Sequence, residues 1–426
     1  MALMKASLET ELSTVFSKKE ISPFIDGVPA QITVHPKTAE QVCELVKMAA
    51  RDGITLLPLG GATHLYGNGK TLEVAVSLSS LPEREEHSPP DLTATLPAGL
   101  SFNRAQESLR RHRQRVPLNP CVKNSSTVGG IISADSSGLW RHRYGTARDW
   151  VIATTLVNAE GNIVHAGAKV VKNVSGYDMN KLYIGARGTL GILLDVSFKL
   201  HPEPEKRITF RACFDTAAGA FDLTTEANTS HLDLEAMTIL KGSWTPGKAK
   251  HWWVLMNLAG PTKGLKSQID QMQKLHQGAG ARRWEIANET DAQIFWRIAN
   301  DNSTSDRENG EDEDYLVRII LPKKRLRPFI TELSGPYEDN LSFKVLPGPG
   351  ICYLAYSTAF SEQHNFTSPL IDQIRTLGGS AEFESLGRDS QERWPILPSS
   401  VTWMRKTKEA LDPHGIFAPG TFVDGI

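Results

Sequence analysis

The chain has 426 residues, 40% apolar and 22% charged, enough to bury the cores of roughly two or three domains. With 47 Lys and Arg against 48 Asp and Glu, the formal charge of -1 gives no field that would gather nucleic acid or anionic lipid. Cys43, Cys121, Cys213 and Cys352 form no CxxC pair, which predicts neither an iron–sulfur cluster nor a zinc site, and no apolar run is long enough to cross a bilayer.

Residues 1–23 lack the apolar core of a signal peptide and read as an N-terminal extension. Thr38 and Gln41 have capping-box spacing, Val42, Leu45, Val46 and Ala49 share a face, and Gly53 supplies a stop, so a helix is predicted over 38–51. The strand-like run "ITLLPL" follows. A second helix is predicted over 101–115, ended by "VPLNP"; the small-residue stretch "STVGGIISADSSG" (126–138) is a poor helix former. "WVIATTLVNAEGNIVHAG" has two apolar runs around Asn158–Gly161 and predicts a β-hairpin. The Pro- and charge-rich run "LHPEPEKR" (200–207) marks a domain boundary, beyond which strands and helices alternate. Residues 301–314 hold seven acidic residues and no apolar one, which predicts a solvated loop rather than a calcium site, since the EF-hand ligand order is absent.

Three glycine-rich, hydroxyl-bearing stretches lie within about 130 residues of one another: 57–71 ("LPLGGATHLYGNGKT"), 126–138, and 176–192 with Gly176, Gly185, Gly188 and Gly191. The first fits neither phosphate-loop pattern: His64 stands where a Walker A loop needs glycine, and the Gly60–Gly61 pair does not make GxGxxG. Each stretch alone could be a turn. Together they suit a long ligand with a diphosphate in its middle, because freed backbone amides converge on anions and interior glycine costs stability that something must offset.

The ordered set "PLGGATHL", "STVGGIISADSSG", "RYGTARDWVIATTLVNAEGNIV", "GYDMNKLYIGARGTLGI" and "ALDPHGIFAPG" resembles the FAD-linked oxidases with a PCMH-type (vanillyl-alcohol-oxidase-like) flavin domain, and among them the FAD-binding E-type subunits of glycolate oxidase assemblies. The resemblance implies an α+β fold. A two-subdomain FAD-binding domain over 24–204 would be followed by an α+β cap over 205–390, with a C-terminal segment, 391–426, returning to the flavin domain. It implies FAD contacts at Gly60, Gly61, Ala62, Thr63, His64 and Leu65 in the first loop. In the second they would be Thr127, Val128, Gly129, Gly130, Ser133, Ser137 and Gly138, with Tyr144 beyond; in the third, Gly188, Gly191 and Ile192, with Gly176, Tyr177 and Asp178 shaping the preceding turn. Relatives with covalent flavin place His or Cys where Ala62 and Ser126 stand here, so noncovalent FAD is implied. Leu59, Asp135 and Ala418 also depart from the family pattern.

The implied activity is oxidation of a small D-2-hydroxy acid, glycolate to glyoxylate, with electrons passed to partners: a D-like flavoprotein subunit and an iron–sulfur subunit. This places the chain in the cytoplasm, peripheral to the membrane only through partners. The HxGDGNxH run of catalytic D-type subunits is absent, and His201, His231, His251, His276, His364 and His414 are singletons, so no catalytic base and no metal site is predicted. Arg282, Arg283, Arg318, Lys323 and Lys324 are candidates for a carboxylate, against the plainer reading of paired surface groups. Trp252, Trp253, Trp296 and Trp403 read as core or interface anchors. Two other readings stay open: a stand-alone flavin oxidase or dehydrogenase of another hydroxy acid or alcohol, and a structural subunit that has lost FAD.

Overall fold

The computed structural model describes residues 8–23, 25, 27–63, 65, 71–169, 177–302, 315–385 and 393–426. His64, Gly176 and most of the acidic segment 301–314 lie outside the described residues. The chain forms two compact units: one of Met1–Ser137, Thr146–Glu203 and Ser399–Ile426, the other of Gly138–Gly145 and Pro204–Pro398.

The first unit contains a four-stranded sheet in the order Ile21–Pro23, Ala30–Val34, Leu72–Ser77, Leu56–Leu59, the last three parallel. The helix Ala39–Asp52 joins two of them. Thr38 caps its start by accepting from the Gln41 amide, Gly53 ends it in the left-handed region at φ 73°, and Gln41 Oε1 accepts from the Lys37 amide at 2.7 Å. Val42, Leu45, Val46, Met48 and Ala49 are its buried face, where each large aliphatic side chain contributes about 1.5–3 kcal/mol. At the far edge of the sheet the C-terminal segment returns: Phe417 pairs in parallel with Leu56, through Leu56 N to Ile416 O and Ala418 N to Leu56 O, both 2.7 Å.

A five-stranded antiparallel sheet, Glu86–Ser88, Thr93–Pro97, Ile192–Lys199, Val151–Val157 and Ile163–Gly167, completes this unit and contains the predicted hairpin. Two local expectations fail. The second helix covers only Phe102–Arg110, because Arg113 turns the chain at φ 55° and Gln114–Arg115 pairs as a strand with His201–Pro202. The stretch 126–138 does contain a helix, Val128–Ser133. Thr127 caps it by accepting from Gly130 N at 3.2 Å, and Gly129 N donates to Ala98 O at 2.8 Å. A Cβ on Gly129 would stand 2.8 Å from Ala98 Cβ, so close packing offsets the helical cost of glycine.

The second unit is built on an eight-stranded antiparallel sheet, in the order Arg283–Ile286, Lys206–Phe214, Ala249–Gly260, Leu234–Gly242, Ser342–Leu346, Ile351–Tyr356, Tyr315–Ile320, Ser380–Ser385. Period-two alternation sends Trp252, Val254 and Met256 to the face covered by the helices Ala217–Thr229, Thr262–Gly278, Lys323–Ser334 and Thr367–Thr376. Trp253 and Leu255 point to the other face, beside Trp244 and Phe295.

Candidate functional site

A cleft opens in the first unit where all three glycine-rich stretches converge. The strand Leu56–Leu59 delivers Pro58 through Thr63 to one wall. The helix Val128–Ser133 and its cap give Thr127, Gly129, Gly130 and Ser133, and the turn before Ile192–Lys199 gives Arg187, Gly188 and Gly191. Backbone bonds hold the second and third walls together: Gly185 N to Ile132 O at 3.0 Å and Arg187 N to Ser133 O at 2.9 Å.

The placement of the expected contacts is uneven. Gly60, Gly61, Ala62, Thr63, Leu65, Thr127, Gly129, Gly130, Ser133, Gly188 and Gly191 all line the cleft. Val128 and Ile192 are buried in the core, and Ser137 is buried with no hydrogen-bond partner for its hydroxyl among the described residues. Gly138 and Tyr144 belong to the second unit, in a segment bracketed by Gly138 and Gly145 at φ 69° and 74°. Tyr144 there donates to Glu235 Oε1 at 3.3 Å.

Two of the glycines are required by the protein's own packing. A Cβ on Gly61 would stand 1.7 Å from the Ser125 carbonyl oxygen, and Ser125 Oγ donates back to Gly61 O at 3.0 Å, so the first and second loops touch backbone to backbone. Gly191, at φ 147°, has room for no Cβ against Val157 O, 2.9 Å away on the neighbouring strand.

Electrostatically, the cleft fits a ligand that brings its own negative charge. Among its described lining residues there is no carboxylate, and Arg187 is the one ionised side chain. The amides of Gly61 and Ala62 make no hydrogen bond among the described residues, and Ala62 holds the left-handed conformation at φ 56°. Turned inward, such amides bind phosphate oxygens, with the Thr63 hydroxyl beside them. The described lining contains neither Cys nor His to bond a flavin covalently. Sequence reasoning did not single out Arg187 or the apolar wall of Pro58, Leu78, Ala98 and Leu193; the signal for Arg187 was a lone charge among the small residues of "GARGT".

The second unit gathers charge differently. Glu235 is fully buried, and its Oε2 accepts from Arg207 Nε at 2.8 Å and Asn257 Nδ2 at 3.0 Å. Of the carboxylate candidates, Arg282 pairs with Asp215 and Arg283 with Glu285, both at the surface, while Arg318 pairs with Glu382, which Arg393 also holds at 2.7 Å. Lys344, missed from the sequence, lies buried between the Trp244 and Tyr353 rings, 5.3 and 4.6 Å from their centres. Burial and the nearby Glu384 carboxylate push the Tyr353 phenol well above its usual range. Trp252 is core, Trp296 donates to Thr209 Oγ1 at 2.8 Å, and Trp403 is 69% exposed. Among the described residues no group of three metal-ligating side chains forms, and no helix is long and apolar enough to cross a membrane.

Comparison with known proteins places the chain as a whole in a family. The FAD binding domain family matches residues 30–167, and the C-terminal domain of FAD linked oxidases matches 394–422, the segment that contains the Phe417 pairing. The glycolate oxidase subunit GlcD of Bacillus subtilis is 31% identical over 94% of this chain and 90% of its own length. A D-2-hydroxyglutarate dehydrogenase of Xanthomonas citri pv. viticola is 30% identical over 90% and 87%. The fold is shared with 4-ethylphenol oxidase from Gulosibacter chungangensis at a TM-score of 0.73, with 17% identity, over 99% of this chain and 97% of that one. The chain therefore belongs to the FAD-linked oxidases, and it is an FAD-dependent oxidoreductase with PCMH-type architecture.

Proposed function

We propose that this chain is the FAD-bearing component of a D-2-hydroxy-acid dehydrogenase, oxidising glycolate to glyoxylate and passing the electrons to a partner chain. The observation that carries the reading is the glycine-walled cleft, whose described lining holds no carboxylate, taken with relatives named for glycolate and D-2-hydroxyglutarate, both 2-hydroxy acids. In it the Gly61 and Ala62 amides, Thr63 and the Arg187 cation would hold the diphosphate arm, and the apolar wall of Pro58, Leu78 and Leu193 would exclude water beside it. Bound FAD supplies the acceptor for a hydride equivalent from the substrate carbon, while the hydroxyl proton goes to a base. The acceptor beyond FAD is read as an iron–sulfur subunit, because the scattered cysteines provide no second redox centre in this sequence.

A second reading, that the chain oxidises its substrate without a catalytic partner, is favoured by its likeness to GlcD and to a D-2-hydroxyglutarate dehydrogenase along nearly their whole lengths. One experiment separates the two. The purified chain, loaded with FAD and kept anaerobic, is mixed with glycolate, D-lactate or D-2-hydroxyglutarate while its visible flavin bands are followed. Bleaching by any of them makes the chain a catalyst in its own right. Bleaching only after a D-like subunit is added supports the complex, and a chain that takes up no FAD sinks both.

A further inference from the structure

Outside the cleft, one buried pair is tied to two of its walls. Lys408 lies on the helix Val401–Leu411, none of whose residues is buried, yet its own side chain is only 12% accessible and that of Asp412 is fully enclosed. The Lys408 ammonium donates to Asp412 Oδ2 at 2.6 Å, to Phe417 O at 2.7 Å and to Thr189 O at 2.8 Å, which engages all three of its protons. Asp412 in turn accepts from the Ile416 amide at 3.1 Å and the Phe417 amide at 2.9 Å.

Each of these contacts leads to the cleft. Ile416 and Ala418 are bonded to both sides of Leu56, whose strand delivers Pro58 to Gly61. Thr189 stands between Gly188 and Gly191, and folds its own turn by donating to Ala186 O through its hydroxyl at 2.7 Å. Neither Lys408 nor Asp412 lines the cleft. Burial lowers the Lys408 ammonium below the usual lysine range, against the pull of Asp412, so the pair sits where packed apolar side chains would cost less. What an apolar pair could not do is fix two backbone carbonyls and two backbone amides at set distances.

We propose that Lys408 and Asp412 are a positioning pair that sets the spacing between the first and third loops of the flavin cleft, without touching FAD. The proposal rests on the reading of this cleft as the FAD site. Lys408→Met leaves Thr189 O and Phe417 O without the ammonium, so the loops can shift relative to each other while both remain folded. FAD then dissociates faster, and its Kd rises about tenfold or more.

The test measures FAD Kd by flavin fluorescence and the melting temperature with and without FAD, for the unsubstituted chain, Lys408→Met, Lys408→Arg and Asp412→Asn. A positioning role shrinks the melting increment that FAD confers, whereas a purely structural role lowers both melting temperatures together and leaves the increment intact. Lys408→Met is expected to lose most of the increment, Asp412→Asn part of it, and Lys408→Arg to recover Kd to within about threefold of the unsubstituted chain. Should Lys408→Met not fold, the contrast between Lys408→Arg and Asp412→Asn decides in its place. Equal Kd values across the set, or an unchanged increment, overturns the positioning role alone; an unsubstituted chain that binds no FAD overturns the cleft assignment with it.

Discussion

The two units handle polarity in opposite ways. In the first, the cleft is made of backbone and small side chains, and its described lining holds a single charge, Arg187. In the second, the sheet carries long ionised side chains whose charges are matched internally: Glu235 by Arg207, Glu382 by Arg318 and Arg393. The contrast follows from what each region has to do. A cleft for a ligand with its own anionic charge gains from unengaged amides and loses from any fixed carboxylate. A network whose members satisfy one another holds a sheet face in one shape and has little charge left over for a visitor. The arginines that looked like carboxylate receptors in the sequence are therefore mostly receptors for this chain's own acids.

The largest expected effect breaks the second half of that comparison. Glu235→Ala removes a buried acceptor shared by Arg207, Asn257 and Tyr144 and leaves the Asn257 and Tyr144 donors without it, at a cost of about 2–3 kcal/mol in denaturant unfolding. A loss under about 1 kcal/mol would mean that the network is dispensable and the contrast overstated.

The first half is tested by charge at constant shape. Ala62 holds a left-handed conformation that Asn and Asp adopt more readily than Ala, so neither substitution strains the loop. Ala62→Asp sets a carboxylate beside the proposed diphosphate, and FAD affinity should fall about tenfold. Ala62→Asn should stay within about threefold of the unsubstituted chain, since it differs from Asp in charge and scarcely in size. Equal titrations for the two would remove the diphosphate from this loop. Gly61 is the wrong place for such a test, because any side chain there first strikes Ser125.

A smaller effect probes the cap of the second loop. Thr127→Ala removes the hydroxyl that receives the Gly130 amide and should cost about 1 kcal/mol of thermal stability, with Thr127→Ser restoring most of it.

Much of the first unit was legible because its determinants are local. Thr38 and Gly53 bracket one helix, the Asn158–Gly161 turn makes one hairpin, and the three glycine stretches recur as three walls of one cleft. The reason for the glycines was only half legible. Gly61 and Gly191 are small because Ser125 and Val157 press on them, contacts set by tertiary packing that no local pattern announces. The helix at 128–133 was missed for the same reason: its glycines cost helix propensity, and the close approach to Ala98 that compensates is invisible in the sequence. The segment of Tyr144 folds with the second unit and its hydroxyl reaches Glu235, a partner 91 positions away that no local pattern announces. Lys408 meets Thr189 across 219 positions, a distance at which side-chain patterning carries no information.

The smallest expected effect sharpens the comparison through pH. In the second unit the His142 ring is half-buried, its enclosed Nδ1 has no partner among the described residues, and it presses on Gly348, where an added Cβ would lie 2.7 Å from that nitrogen. Burial first, and the charge of Lys323 second, lower its pKa below the ordinary 6.5. The folded state therefore keeps His142 neutral at pH values where the unfolded chain already binds a proton. No stability is lost to this residue above pH 6.5; the loss begins as pH falls through that value and continues down to the lower folded pKa. His142→Gln, which cannot titrate, should flatten that part of the stability–pH curve and leave the neutral-pH midpoint nearly unchanged. If denaturant midpoints between pH 7 and 5 fall in parallel for the two proteins, the acid sensitivity of the second unit lies in its carboxylates, and the matched charges of its sheet face, rather than one half-buried imidazole, set the lower limit of its stability.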